Sequence, residues 1–214
     1  PLAGLTGSAI VLFALLSLSG SVARPGIIII AGLAISTLTG ALLAVVLNFA
    51  PNPYAMQELV FWLLGSVSHR GLDHLIVLLP AFIIGFVIIL SQKRLLFGLS
   101  LGEKVAESMG LQVVKSSRLI ILGVALLVGS AVAVAGNIGF IGLLIPHLLR
   151  RLVNFRPDRL LIPSALAGAI VVCVADILIR YLPPQRELKL GVLTALIGAP
   201  FFIYLVWKER QRWL

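Results

Sequence analysis

The sequence predicts an all-α, polytopic transmembrane bundle of about seven spans. Three observations carry that prediction. Of 214 residues, 60% are apolar and 12% are charged, against roughly 45–50% and a quarter in soluble domains. Mean hydropathy is +1.12. The charges gather in short clusters between long uncharged runs. A soluble domain of this size lacks the polar residues to cover so much apolar surface, and disorder requires low hydrophobicity. Cys173 is the single cysteine, which excludes an internal disulfide and a Cys-rich zinc cluster. The chain opens at Pro1 directly in apolar sequence with no basic stretch before it. That is not a signal peptide, and the start is expected to reflect truncation, processing or a partial chain.

The elements follow in order. Pro1 to Ala23 is uncharged and predicts a span at about 2–20. Pro25 to Gln57 is too long for one crossing of about 20 residues. It breaks at Asn48-Phe-Ala-Pro51-Asn-Pro53, which is turn chemistry. A span at about 27–47 and a short amphipathic helix over Tyr54–Leu64 result, the second too short to cross. Leu75 to Gln92 gives a span at about 72–91. Leu119 to Leu149 is again too long for one span and breaks at Gly136-Asn137-Ile138-Gly139. Spans are expected at about 117–136 and, shorter, 138–152. Two more follow at about 160–181 and 190–208.

Counting Lys and Arg in alternate connections fixes an orientation. One side holds Arg24, Lys93, Arg94, Lys104, Lys115, Arg118, Arg150, Arg151, Arg156, Arg159, Lys208, Arg210 and Arg212. The other holds Arg70, Arg180, Arg186 and Lys189. Cytoplasmic loops collect positive charge, so the first side and the C-terminus are expected inside. The net charge of +9 is then a topology signal and not a nucleic-acid footprint.

The longest inner connection contains Ser100-Leu-Gly-Glu103-Lys-Val-Ala-Glu-Ser-Met-Gly110. Ser100 with Glu103 fits a capping box, and Gly110 fits the residue just past a helix end. A helix of about nine residues is expected between them, with Leu101, Val105 and Met109 on one face. So short a helix is marginal alone and must dock, either on its own membrane domain or on a cytoplasmic partner. Gly98, Gly102 and Lys104 imitate a phosphate loop, but the spacing is short, Glu103 interrupts it and no strand precedes it. The chain has no nucleotide site of its own, so any ATP chemistry belongs to a partner.

Gly32, Ser36, Gly40 and Ala44 form a small-residue ridge on the second span, and Gly191, Ala195 and Ala199 another on the last. Such ridges serve close helix packing, a path or a dimer seam. Asp176 and Arg180, at i and i+4, predict an internal ion pair. His147 after Pro146 reads as a structural, hydrogen-bonded histidine. His69, Asp73 and His74 are loop-spaced and do not make a metal site, which needs three or four convergent ligands. No catalytic constellation, cofactor site or metal site is expected.

The segment Ala135-Gly-Asn-Ile-Gly-Phe-Ile-Gly-Leu-Leu-Ile-Pro-His-Leu-Leu-Arg150 resembles the signature of FecCD-type permeases of ABC importers. Its members handle iron–siderophore complexes, haem and cobalamin. Gly139, Phe140, Gly142, Pro146, His147 and Arg150 carry the likeness. Ala175-Asp-Ile-Leu-Ile-Arg180, Glu187 through Phe202 (with Gly198), Phe61-Trp-Leu-Leu-Gly-Ser66, Leu101-Gly-Glu103 and Met109-Gly-Leu111 extend it. Lys189 stands where the family usually has proline.

The resemblance implies the last seven of ten spans of a type II ABC importer permease, with residues 1–214 as one transmembrane domain. It implies an outer half-helix near Tyr54–Leu64 and a coupling-helix region at 99–110. ATPase-docking residues would be Ser100, Leu101, Gly102, Glu103, Val105, Met109 and Gly110. Gly32, Ser36, Gly40, Ala44, Gly191, Ala195, Gly198 and Ala199 would sit on path or dimer-seam helices. The implied partners are a cytoplasmic ATP-binding subunit, an extracytoplasmic substrate-binding protein, a second permease copy and membrane lipid in a bacterial cytoplasmic membrane. Arg70, Arg186 and Lys189 could pair with acidic groups of the binding protein. Replacing Glu103 by Ala and Leu101 by Asp together is expected to uncouple the ATPase. The rival function is an ion-coupled secondary transporter, for which Asp176 is the candidate titrating group.

Overall fold

The structure, a computed structural model, describes residues 2–19, 25–50, 52–68, 70–181 and 188–210. Arg24, His69, Arg186, Glu187 and Arg212, named above, lie outside the described residues. The regular structure among the described residues is all helical, in the order α1 (Leu2–Ser19), α2 (Pro25–Asn48), α3 (Pro53–Leu64), α4 (Leu72–Ser91), α5 (Lys93–Ser100), α6 (Glu103–Ser108), α7 (Val113–Ala135), α8 (Ile141–Leu149), α9 (Pro157–Arg180) and α10 (Leu190–Arg210). Gly26–Asn48 of α2, and α4, α7 and α9, are long and apolar enough to cross a bilayer. Shorter apolar stretches fall at Thr6–Leu18 in α1 and Leu190–Leu205 in α10.

The breaks expected from turn chemistry are present. Asn52 Oδ1 accepts the Ala55 N–H at 2.9 Å, a side-chain cap that starts α3 and satisfies one of its orphan donors. The expected crossing at 138–152 is not one helix. Gly136 to Gly139 is non-helical, Phe140 takes φ 67°, and turns run from Arg150 to Phe155. What remains is the nine-residue α8, a rise of about 13 Å against a hydrocarbon core of about 30 Å.

The chain divides into two compact units, Pro1–Val60 with Arg70–Val134, and Phe61–His69 with Ala135–Leu214. In the first, α1 packs on α2 and α4 leads through α5 into α6. Gly85 and Gly123 let α4 and α7 touch along their backbones: a methyl group on Gly85 would stand 2.7 Å from the Gly123 carbonyl oxygen. In the second, α8, α9 and α10 pack on one another.

The second unit also contains a crossing held by main-chain hydrogen bonds. Ser66 N–H donates to Ala135 O at 2.7 Å and Asn137 N–H to Trp62 O at 3.0 Å. Gly191 N–H points to Gly65 O at 3.5 Å. The end of α3, the start of the 136–139 segment and the start of α10 therefore satisfy each other's orphan groups, which lipid cannot do. Only glycine fits there. A methyl on Gly191 would collide with Leu64 O, one on Gly65 (φ 60°) with Asn137 O, and one on Gly136 with Trp62 O.

Candidate functional site

Two features stand out: a foot built from α5, α6 and the start of α7, and a cavity beside α10. The foot begins with a correction. Ser100 does not cap the next helix. It is the last residue of α5, and its hydroxyl donates to Phe97 O at 2.6 Å. The chain turns at Leu101, and Gly102 is the N-cap of α6 with φ 115° and no side-chain cap bond. The capping box fails because Ser100 is still inside α5 and the next helix starts only at Glu103. The nine-residue helix is accordingly six residues long. Ser100→Ala should then change stability by less than about 0.5 kcal/mol in a denaturant titration, where a true cap would cost about 0.5–2 kcal/mol.

The end of α6 is as expected. Gly110, at φ 77°, donates to Glu107 O at 2.9 Å, and Leu111 N–H donates to Ala106 O at 3.2 Å. This pair of bonds closes a helix on a left-handed glycine. Ala106 is fully buried against Leu95 and Val113, with Leu99, Leu111 and Ile120 around them. That small core makes a helix of six residues viable where isolation would not. Leu101 before α6, Val105 within it and Met109 at its C-cap are exposed by 52%, 41% and 50%. Glu103 opens α6 in its first turn, where a carboxylate meets the positive end of the helix dipole.

The cavity, of about 560 Å³, is bordered by Leu63, Leu64, Asn137, Gly139, Phe140 and one side of α10. Gly191, Ala195 and Ala199 all line it; Ala195 and Ala199 border open space, whereas Gly191 is small because Leu64 O stands against it. Gly198 does not line it; it is buried against Phe140. The ridge on α2 behaves differently. Ser36, Gly40 and Ala44 are exposed, and neither Gly32 nor Gly40 has a neighbour where a side chain would stand. Lys189, immediately before α10, lays its ammonium 4.3 Å from the Phe61 ring centroid.

The remaining signature residues spread along α8 and α9. Pro146 lies within α8, Arg150 is its C-cap, and Gly142 is exposed. His147 stands edge-on to Phe201, the ring centroids 6.4 Å apart. Arg180 Nε donates to Asp176 Oδ2 at 2.7 Å, an i,i+4 ion pair as the spacing predicts. Among the described residues no three His, Cys, Asp or Glu side chains gather as metal ligands.

The sequence reading missed the glycine crossing and the Gly85–Gly123 contact. The first joins residues far apart in the chain, so no local pattern shows it. The second had a faint signal, one glycine in each of two apolar runs.

The description of the FecCD transport family matches residues 1–208. The chain belongs to the FecCD transport family. It is 36% identical over 197 residues to the hemin transport system permease protein HmuU of Yersinia pestis, covering 90% of this chain and 57% of that protein. It is 34% identical over 213 residues to the Fe(3+)-citrate import system permease protein YfmE of Bacillus subtilis, covering 99% and 63%. A chain described as a metal-chelate type ABC transporter in an inward-facing conformation superposes with a TM-score of 0.81 at 34% identity, covering 94% of this chain and 63% of that one. The chain thus spans between half and two thirds of the length of these FecCD relatives. With its apolar helices, family membership makes it a multi-pass membrane protein.

Proposed function

We propose that this chain forms part of the membrane permease of an ATP-driven importer that carries an iron chelate, haem or cobalamin into the cell. The observation that carries the reading is the foot. Leu101, Val105 and Met109 stand exposed on and beside α6, a helix held from within by the buried Ala106. Such a surface suits a second protein. A cytoplasmic ATP-binding subunit gripping it would bias the helices between inward- and outward-open states, since a ligand shifts an equilibrium only by its differential affinity for the two states. The excess of Lys and Arg supports a cytoplasmic location for the foot and the C-terminus. A binding protein delivers cargo from outside, and a second permease copy completes the path, with the α10 cavity facing it. The chain itself hydrolyses no ATP. Asp176, the acid that an ion-coupled carrier would titrate, is already engaged by Arg180.

Reconstitution of the permease in vesicles with its ATP-binding subunit and binding protein tests this. Uptake of ferric citrate, haemin or cobalamin should require ATP on the foot side. Uptake that survives ATP depletion and collapses with a proton uncoupler would overturn the reading.

A further inference from the structure

The connection between α8 and α9 carries residues that the transport reading leaves without a task. It is a tight turn, not a loose loop. Phe155 N–H donates to Arg150 O at 2.8 Å, Asn154 N–H to Arg151 O at 3.3 Å, and Arg156 N–H to Val153 O at 3.1 Å. Asn154 and Phe155 are both left-handed, at φ 54° and 59°. Asparagine tolerates that region; phenylalanine there is a true outlier. The turn nevertheless points an aromatic ring outward. Phe155 is 59% exposed and Leu152 is 79% exposed. The Arg150 guanidinium stacks over the Phe155 ring at 5.1 Å from its centroid and steadies it.

Around these two apolar prongs lie four arginines and one carboxylate. Arg156 and Asp158 form a two-bond fork, at 3.2 Å and 2.8 Å. Accepting those bonds, the Asp158 carboxylate holds the Arg156 guanidinium above its ordinary pKa. Arg151 and Arg159 are exposed. The span-length helix α9 starts at Pro157, two residues after Phe155. The prongs therefore stand within a turn of one end of a helix long and apolar enough to cross a bilayer. Apolar side chains entering the head-group layer beside arginines that reach phosphate are the chemistry of an anionic bilayer surface.

We propose that Arg151, Leu152, Phe155 and Arg159 form a rigid anchor that binds the anionic head-group layer of the leaflet it faces. Leu152 and Phe155 enter the layer, and the two arginines meet lipid phosphates. The backbone strain at Phe155 sets the ring outward before any lipid arrives.

The test uses the whole permease, with Cys173→Ser and Leu152→Cys carrying a nitroxide label. It is reconstituted in phosphatidylcholine vesicles with or without phosphatidylglycerol. In the mixed vesicles the label should collide at least about threefold more with oxygen relative to a water-soluble nickel chelate. Arg151→Gln with Arg159→Gln should abolish that difference. Phe155→Gly, which suits the backbone, should keep the fold and reduce the immersion. Equal water access in both vesicle types would overturn the anchor. So would loss of both kinds of collision on adding the ATP-binding subunit, which would make the turn a protein contact.

Discussion

Gly191→Val should destabilise the protein by about 3 kcal/mol, at the upper end of what overpacking costs. A side chain at position 191 has nowhere to go. Its first carbon would overlap the Leu64 carbonyl oxygen and lie 3.0 Å from Asn137 O. Neither atom can yield without breaking the crossing, because Ser66, Asn137 and Gly191 all donate within it. A buried donor or acceptor left unmade in an apolar medium adds its own penalty. The measurement is unfolding in detergent, followed by the loss of helical circular dichroism. Gly139→Ala is the matched control, since nothing stands within 4 Å of that position. Equal midpoints for the two variants would show that the crossing does not hold the structure.

Val105→Asp with Met109→Asp should lower ATP-driven uptake at least about tenfold while leaving the protein folded. Both side chains are roughly half exposed, so the fold does not need them. Burying each against a partner is worth about 1.5–3 kcal/mol, and a carboxylate in its place must be desolvated. Co-purification of the ATP-binding subunit should fail in parallel. Ala106→Asp probes the buried side of the same helix. Ala106 is fully buried against Leu95 and Val113, so a charge there should unfold the foot and lower the unfolding midpoint. Normal coupling in the Val105 and Met109 double variant would remove the foot from the mechanism.

Much of the helical layout was legible because it depends on composition and on punctuation. The Asn48–Pro53 stretch and the run Gly136 to Gly139 are turn chemistry, and α2 ends at Asn48, α3 starts at Pro53 and α7 ends at Ala135 accordingly. The Asp176–Arg180 pair followed from spacing along one helix, which sequence encodes directly. Gly110 at the end of α6 was legible for the same reason. The capping box was not, because the preceding helix competed for Ser100 and won. The length of α8 was missed because hydropathy counts apolar residues and is blind to the left-handed turn at Phe140 that delays the helix. The cavity beside α10 illustrates a third limit. The ridge of Gly191, Ala195 and Ala199 was visible, but whether small residues admit a neighbouring helix or leave a space depends on what stands opposite.

The main-chain crossing has a consequence for biogenesis. Gly65 waits for Gly191, which is 126 positions later in the chain. At a synthesis rate of about 5–20 residues per second, the delay is roughly 6–25 s. Throughout that interval the ribosome has delivered the acceptor but not its donor. The crossing is therefore expected to close only after α10 has been made, late relative to α3.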